Sequence, residues 1–351
     1  MASKKKSYFK KIILSFGGVV LAILLVTFFI FWQKIYSVNV IGKNEKQFLY
    51  VPTGTTAEQL FEIISQKKIV NSIETFRWAA EWMKLADNIH PGKYELKKGM
   101  SNYELVKLLR SGKQTPVKLV INKFRTRHDL AIFISAKLEI DSTEILDSLN
   151  SNSFTHANGF TPESIIGMFI PNTYEFYWNT TITKFILRMK REYDGFWNSE
   201  RRQKASAHNL SVLEICTLAS IIDEETNQND EKPALASVYL NRLKINMMLQ
   251  ADPTIKFANN DFTIRRVRGT HIEAVKDSPY NTYRKSGLPP GPICTPTIAG
   301  IDAVLNADST TNLYFCASTL KPGYHVFATN MKDHLTNAKL YQQYLNKRGI
   351  Q

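Results

Sequence analysis

The sequence predicts an α+β protein in three parts: a single N-terminal transmembrane helix, a small α+β unit, and a larger, mixed helix-rich α+β domain. Three observations point to this. Residues 12–32 form an uncharged apolar run of bilayer length. Residues 47–115 alternate strand and helix patterns, punctuated by Pro, Gly and Ser. Residues 116–351 hold longer helical periodicities with short strand patterns between them.

The apolar run reads IILSFGGVVLAILLVTFFIFW. Lys4, Lys5, Lys6, Lys10 and Lys11 precede it, whereas only Lys34 and then Lys43 follow closely. Basic residues are retained on the cytoplasmic side, so residues 1–11 are expected in the cytoplasm and the rest outside. A cleaved signal would have a shorter apolar core and a small-x-small site. This run is long and ends in Phe28-Phe-Ile-Phe-Trp32, so an uncleaved anchor is expected, with the rest of the chain exported. Trp32 and Tyr36 suit the outer interface. Residues 33–46 read as a polar linker.

In the small unit, Phe48–Val51 reads as a strand and Pro52–Thr55 as a turn. Thr56 caps a helix, a second amphipathic segment covers Ile73–Leu85, and Lys93–Leu96 is a strand. Ser101 caps a third helix that stops at Ser111-Gly112. Size and element order make residues 47–115 a LysM-like, wall-binding candidate, although a generic α+β unit fits the same pattern.

The large domain opens with a strand at Val117–Ile121, followed by helices over Arg127–Asn150. Gly167–Pro171 leads into Asn172–Trp178, and Ile182–Glu200 reads as one long helix. Composition fits a globular fold, with 44% hydrophobic and 11% aromatic residues. The net charge of +14 favours anionic partners such as lipid headgroups or a wall polymer. Arginine-rich arms and nucleic-acid motifs are missing, which argues against nucleic acid. Cys216, Cys294 and Cys316 lack metal-ligand spacing, so no metal or cofactor is expected, and a Cys294–Cys316 bridge is left open.

The chemistry concentrates at Leu210–Phe257. Ser211, with Glu214 three residues on, forms a capping box at the head of SVLEICTLASII, a buried helix by pattern. It ends in Asp223-Glu224-Glu225-Thr226. Glu225 lies three, four and seven residues after Ile222, Ile221 and Leu218, and so continues the apolar face. Glu224 falls in line with Ser220 and Thr217, the more polar face. Burial and the negative helix terminus both push the Glu225 pKa upward, as a general acid requires. The competing reading is three solvated acids at a helix end. Asn229-Asp230 is expected to cap the next helix, with Pro233 in its first turn.

These segments resemble the MltG/YceG-like endolytic murein transglycosylases. The matching motifs are Ala219-Ser-Ile-Ile-Asp-Glu-Glu-Thr226, Val238-Tyr-Leu-Asn-Arg-Leu243, Leu249-Gln-Ala-Asp-Pro-Thr254, Ser278-Pro-Tyr-Asn-Thr-Tyr283 and Gly287-Leu-Pro-Pro-Gly-Pro-Ile293. His325-Val-Phe327 with His334, and Pro171, Thr173 and Tyr174, complete the set. The resemblance covers nearly the whole chain. It implies a YceG-like catalytic domain at 116–351, with Glu225 catalytic and Asp223 dispensable. Asn172 stands where relatives carry an acid. Gln250, Asp252, Asn281, Tyr283, His325 and Tyr174 become candidate substrate-binding residues, although Asp252–Thr254 and Asn281–Tyr283 also read as turns and His325 and Tyr174 as structural residues. The implied reaction cleaves the MurNAc–GlcNAc β-1,4 bond of peptidoglycan strands and leaves 1,6-anhydroMurNAc ends. The implied setting is beside peptidoglycan synthases, terminating nascent strands. A hydrolytic muramidase and a non-catalytic wall-binding scaffold are the alternatives.

Overall fold

A long helix, α1 (Ala2–Tyr36), begins the chain in a computed structural model that describes residues 2–41 and 46–347. Residues Ile12–Tyr36 are long and apolar enough to cross a bilayer. The side chains of Lys4, Lys5, Lys6, Lys10 and Lys11, together with residues 42–45 of the expected linker, lie outside the described residues.

The rest of that linker is not a linker. Ile35 is 0% exposed and Val40 is 2% exposed, so both belong to a core. The Asn102 amide donates to the Lys34 carbonyl at 2.7 Å. Asn39 donates to Asn102 Oδ1 at 2.7 Å and to the Ser72 carbonyl at 2.8 Å, and accepts from the Ser72 N–H at 2.8 Å. Val38 and Val40 form bridges with Ser101 and Val70. Polar sequence there encodes buried, mutually satisfied amides, which a composition reading takes for solvated chain.

The chain divides into two compact units, one holding residues up to Val117 plus Phe176–Asn179, the other Lys118–Glu175 and everything from Thr180 on. In the first, β1 (Gln47–Val51) pairs antiparallel with β2 (Gly92–Leu96), Leu49 opposite Tyr94. Helices α2 (Ala57–Gln66), α3 (Ile73–Trp82) and α4 (Asn102–Ser111) pack over them. Thr56 and Ser101 form full capping boxes with Gln59 and Glu104. Gly112 ends α4 at φ 62°, a left-handed cap that favours glycine. Leu49, Leu60, Ile64, Phe76, Tyr94 and Leu105 fill the core.

The second unit is mostly helical. β3 (Val117–Ile121) pairs with β4 (Asn172–Phe176). Between them lie α5 (Arg127–Ser135), α6 (Ser142–Asn150) and α7 (Asn152–Ala157). The expected long helix is two, α8 (Ile182–Phe196) and α9 (Ser199–Ala207). Asn198 caps the second, and the break lets Trp197 turn inward, leaving it 1% exposed. Next come α10 (Val212–Glu225), α11 (Lys232–Lys244), α12 (Asp252–Ala258), α13 (Gly269–Ala274) and α14 (Ile298–Leu305). A hairpin of β5 (Tyr314–Ala317) and β6 (His325–Ala328) precedes α15 (Met331–Lys347). All three cysteines are free, Cys216 and Cys294 being buried.

Helix α10 is the axis of this unit. Its capping box is Ser211 with Glu214, and every residue from Ile215 to Asp223 is buried. Helices α11, α12 and α14 enclose it.

Candidate active site

Because α10 is buried on all sides, its last residues emerge at the edge of the core with their directions fixed. The three acids meet different fates. Asp223 is the deepest at 3% exposure, where the face count singled out Glu225. A helix enclosed all round has no single buried face, so the three–four spacing does not rank its end residues. Asp223 pairs with the buried Lys232 of α11 at 2.7 Å. It also accepts from the Thr297 N–H at 2.6 Å and the Thr297 hydroxyl at 2.8 Å, at the N-cap of α14. A Cβ on Gly300 would stand 2.6 Å from its oxygens, so this position requires glycine. Asp223 therefore ties α10, α11 and α14 together, and is structurally far from dispensable.

Glu224 turns the other way, onto Lys123 at 2.9 Å and Arg125 at 3.0 Å. Burial raises its pKa, but the hydrogen bonds and charges of Arg125 and Lys123 outweigh that and leave it lowered. Glu225, half-buried, has no such cation. Burial drives its carboxyl up to about 7. A hydrogen bond from Tyr239 opposes the rise, the charge of Asp252 adds to it, and Lys256 and Arg242 pull against it. The Tyr239 hydroxyl donates to Glu225 Oε1 at 2.7 Å. One acid is thus held ready to give a proton near neutrality while its neighbour stays ionised, a separation that environment alone produces.

Helix α11 supplies the flank. Its N-cap is Glu231 without a side-chain cap bond, so neither Asn229 nor Asp230 caps it. Tyr239, 0% exposed, packs edge-on against Phe315 of β5 at 5.8 Å. Three residues on, Arg242 donates to the Leu313 carbonyl at 2.7 Å and the Leu249 carbonyl at 2.6 Å. Across from it, Asp252 opens α12 and accepts from the Tyr283 hydroxyl at 2.6 Å.

The sequence profile of the YceG-like family matches residues 49–340. The chain belongs to this family. It is 27% identical over 303 residues to an endolytic murein transglycosylase of Bacillus subtilis, covering 81% of each chain. It is 27% identical over 328 residues to the endolytic murein transglycosylase of Streptococcus pneumoniae serotype 2, covering 85% of this chain. There it spans only 59% of the relative's length. A crystal structure of a YceG-like protein from Listeria monocytogenes superposes with a TM-score of 0.55 at 28% identity, covering 84% of this chain and 99% of that one.

The YceG-like motifs gather unevenly. Glu225, Asp252 and Tyr283 share one electrostatic environment, each being felt at another. Gln250 sits beside them, exposed, in a left-handed turn at φ 49° with its N–H donating to the Thr282 carbonyl at 3.0 Å. Three other candidates lie elsewhere. Asn281 is 0% exposed, and its amide donates to the Ile272 and Val275 carbonyls at 3.0 Å each. Its oxygen accepts from the Tyr283 N–H at 3.1 Å, so it shapes the loop that presents Tyr283 and offers nothing to a ligand. Tyr174 is 4% exposed in β4 with its hydroxyl on the Ile170 carbonyl at 2.6 Å, a core residue and not a stacking platform. His325 is held by Glu231 at 2.9 Å and packs edge-on behind Phe315 at 5.2 Å, so it braces the hairpin.

Tyr239 and Arg242 are functional candidates that the residue-by-residue reading missed. Both stand in the quoted Val238–Leu243 motif, and their spacing of three places them on one helix face. Beyond Glu224 and α12 opens a cavity of about 340 Å³, lined in part by Arg125, Arg127, Glu163, Phe257 and Tyr280. Among the described residues, no cluster of His, Cys, Asp and Glu fit to hold a metal is found.

Proposed function

We propose that this chain is an endolytic peptidoglycan transglycosylase whose single acid/base is Glu225. One observation carries the reading: a carboxyl whose pKa is raised to about 7, half-buried and aimed by a tyrosine hydroxyl. Protonated Glu225 gives its proton to the glycosidic oxygen as the MurNAc–GlcNAc bond breaks. The resulting carboxylate then takes the proton from the C6 hydroxyl of the same muramic residue. That oxygen attacks C1 and closes the 1,6-anhydro ring. An intramolecular nucleophile has a large effective concentration, so no second carboxylate is needed to activate water. Asp252, Tyr283, Gln250 and Lys256 are assigned to holding sugar hydroxyls and tuning Glu225.

Digestion of murein by the purified chain, read by mass spectrometry, tests this. Anhydro-ended fragments, one water lighter than reducing-ended ones, are the expected product. Reducing ends would select the second reading, a hydrolytic muramidase, which the charge of Asp252 at Glu225 favours.

The pH profile supplies a second check. Glu225 must start protonated, so kcat/KM is expected to fall above about pH 7. Tyr239→Phe removes the hydrogen bond that favours the carboxylate, so the descending limb moves to higher pH. The rate falls roughly tenfold, the value of one buried hydrogen bond. A limb that stays put or moves to lower pH would contradict the role of Tyr239.

The wider assignment follows from charge and length. α1 is the membrane anchor, its N-terminus cytoplasmic by the lysine distribution, with the chain that follows it on the far side of the inner membrane. The small unit, with its strand–helix–helix–strand–helix order, is assigned LysM-like wall binding. Peptidoglycan synthases are the expected partners, and cutting near them would set strand length.

A further inference from the structure

The end of α1 carries an aromatic collar that continues onto the small unit. Phe31 lies edge-on between Trp78 at 5.6 Å and Trp82 at 5.1 Å, both on α3. Trp32 packs on Tyr36 at 4.4 Å, and Tyr36 on Tyr103 of α4 at 5.4 Å. Lys34 Nζ stands over the Trp78 ring at 5.1 Å, and Lys107 Nζ over Tyr103 at 5.7 Å. Trp82 is nonetheless 55% exposed, and Trp32 50%.

Phe31 is five residues before the end of the apolar span Ile12–Tyr36, which is about 7 Å along a helix axis. Whatever touches Phe31 therefore stands at the depth of the headgroups when α1 crosses a bilayer. The attachment is fixed, since Ile35 is in the core and Asn102 holds the Lys34 carbonyl. The indoles cannot swing clear of the surface.

We propose that the Trp78–Trp82 end of α3, with Trp32, Tyr36 and Tyr103, is a docking surface for an anionic phospholipid bilayer, so that the small unit lies on the membrane and does not float above it. Indoles prefer the headgroup level, where the ring is apolar on one side and hydrated on the other. Lys34 and Lys107 stand beside them to meet lipid phosphates. The surface is continuous with the span itself, which distinguishes a lipid partner from a protein one. The inference rests on the anchor reading given above.

The test uses the full chain reconstituted into phosphatidylglycerol–phosphatidylcholine vesicles whose acyl chains carry bromine near the headgroup. Bromine quenches indoles at that depth. Trp82→Phe is expected to remove roughly one third of the quenchable fluorescence, its share of the three interfacial indoles. Trp197→Phe, deep in the second unit, is expected to remove none. Trp32→Phe separates the two claims. A quenchable Trp32 with an unquenched Trp82 overturns the docking surface and keeps the anchor, whereas loss of quenching at both overturns the anchor as well.

Discussion

Glu225→Gln is expected to abolish strand cleavage, by about 10³-fold or more, and at the same time to stabilise the protein above neutral pH. The first effect follows from removing the proposed proton carrier, since positioned acid/base groups contribute about 10²–10⁴-fold and the proposed mechanism gives both roles to this one group. The second follows from linkage. The Glu225 pKa is raised from 4.5 to about 7, so the folded state binds the proton more tightly than the unfolded chain. Stability from this residue is fully present below pH 4.5 and is lost as pH rises towards 7. The full rise corresponds to about 3 kcal/mol, and partial exposure reduces it to about 2 kcal/mol. Glutamine has no charge to form and still accepts from Tyr239. Thermal unfolding should therefore coincide for the two proteins near pH 4.5 and separate by about 5 °C at pH 8, with the variant higher. Equal midpoints at both pH values would mean that Glu225 is solvated, and the catalytic assignment would lose its basis. A scaffold without catalysis would instead keep its function in this variant.

Lys232→Met carries the largest expected loss of stability. The Asp223 carboxylate would be left without its paired cation in a site with 3% exposure. Breaking a buried pair on one side costs about 3–5 kcal/mol, because the remaining ion is desolvated and uncompensated. Adding Asp223→Asn removes that charge while the amide oxygen still accepts from the Thr297 N–H. The double variant is expected to recover more than half of the loss in urea unfolding. Recovery would show that the penalty lies in the stranded charge. If the double variant is as unstable as the single, Lys232 acts through packing and the charge argument fails.

What the sequence revealed and what it hid divide along physical lines. Caps at Thr56, Ser101 and Ser211 are local, needing only three residues in register, and all three form. Glu225 was legible only as one of three acids at the end of an apolar helix, since in a helix enclosed on all sides the spacing from Leu218, Ile221 and Ile222 does not rank them. Tyr239 was not, because its partnership with Glu225 joins two helices across 14 residues. Asp223 was underrated for a related reason: its partners Lys232 and Thr297 come from two other helices, and single-helix periodicity carries no information about them. Asn281, Tyr174 and His325 were ambiguous in kind, since an amide, a phenol or an imidazole serves a loop or a core as readily as a sugar. The broken helix at Trp197 left a faint trace, an asparagine able to cap, inside an otherwise unbroken helical pattern.

The last turn of α1 has a mechanical consequence. Ile35 is packed in the small unit's core, and the Lys34 carbonyl is bonded to Asn102. With the preceding residues in a bilayer, a change in hydrocarbon thickness pulls on that turn through the helix backbone. A thicker membrane draws it inward, against the Asn102 bond; a thinner one pushes the span's apolar end toward water, each at a fraction of a kcal/mol per ångström. With α1 in a bilayer, as proposed, the folding free energy of the small unit would depend on lipid chain length.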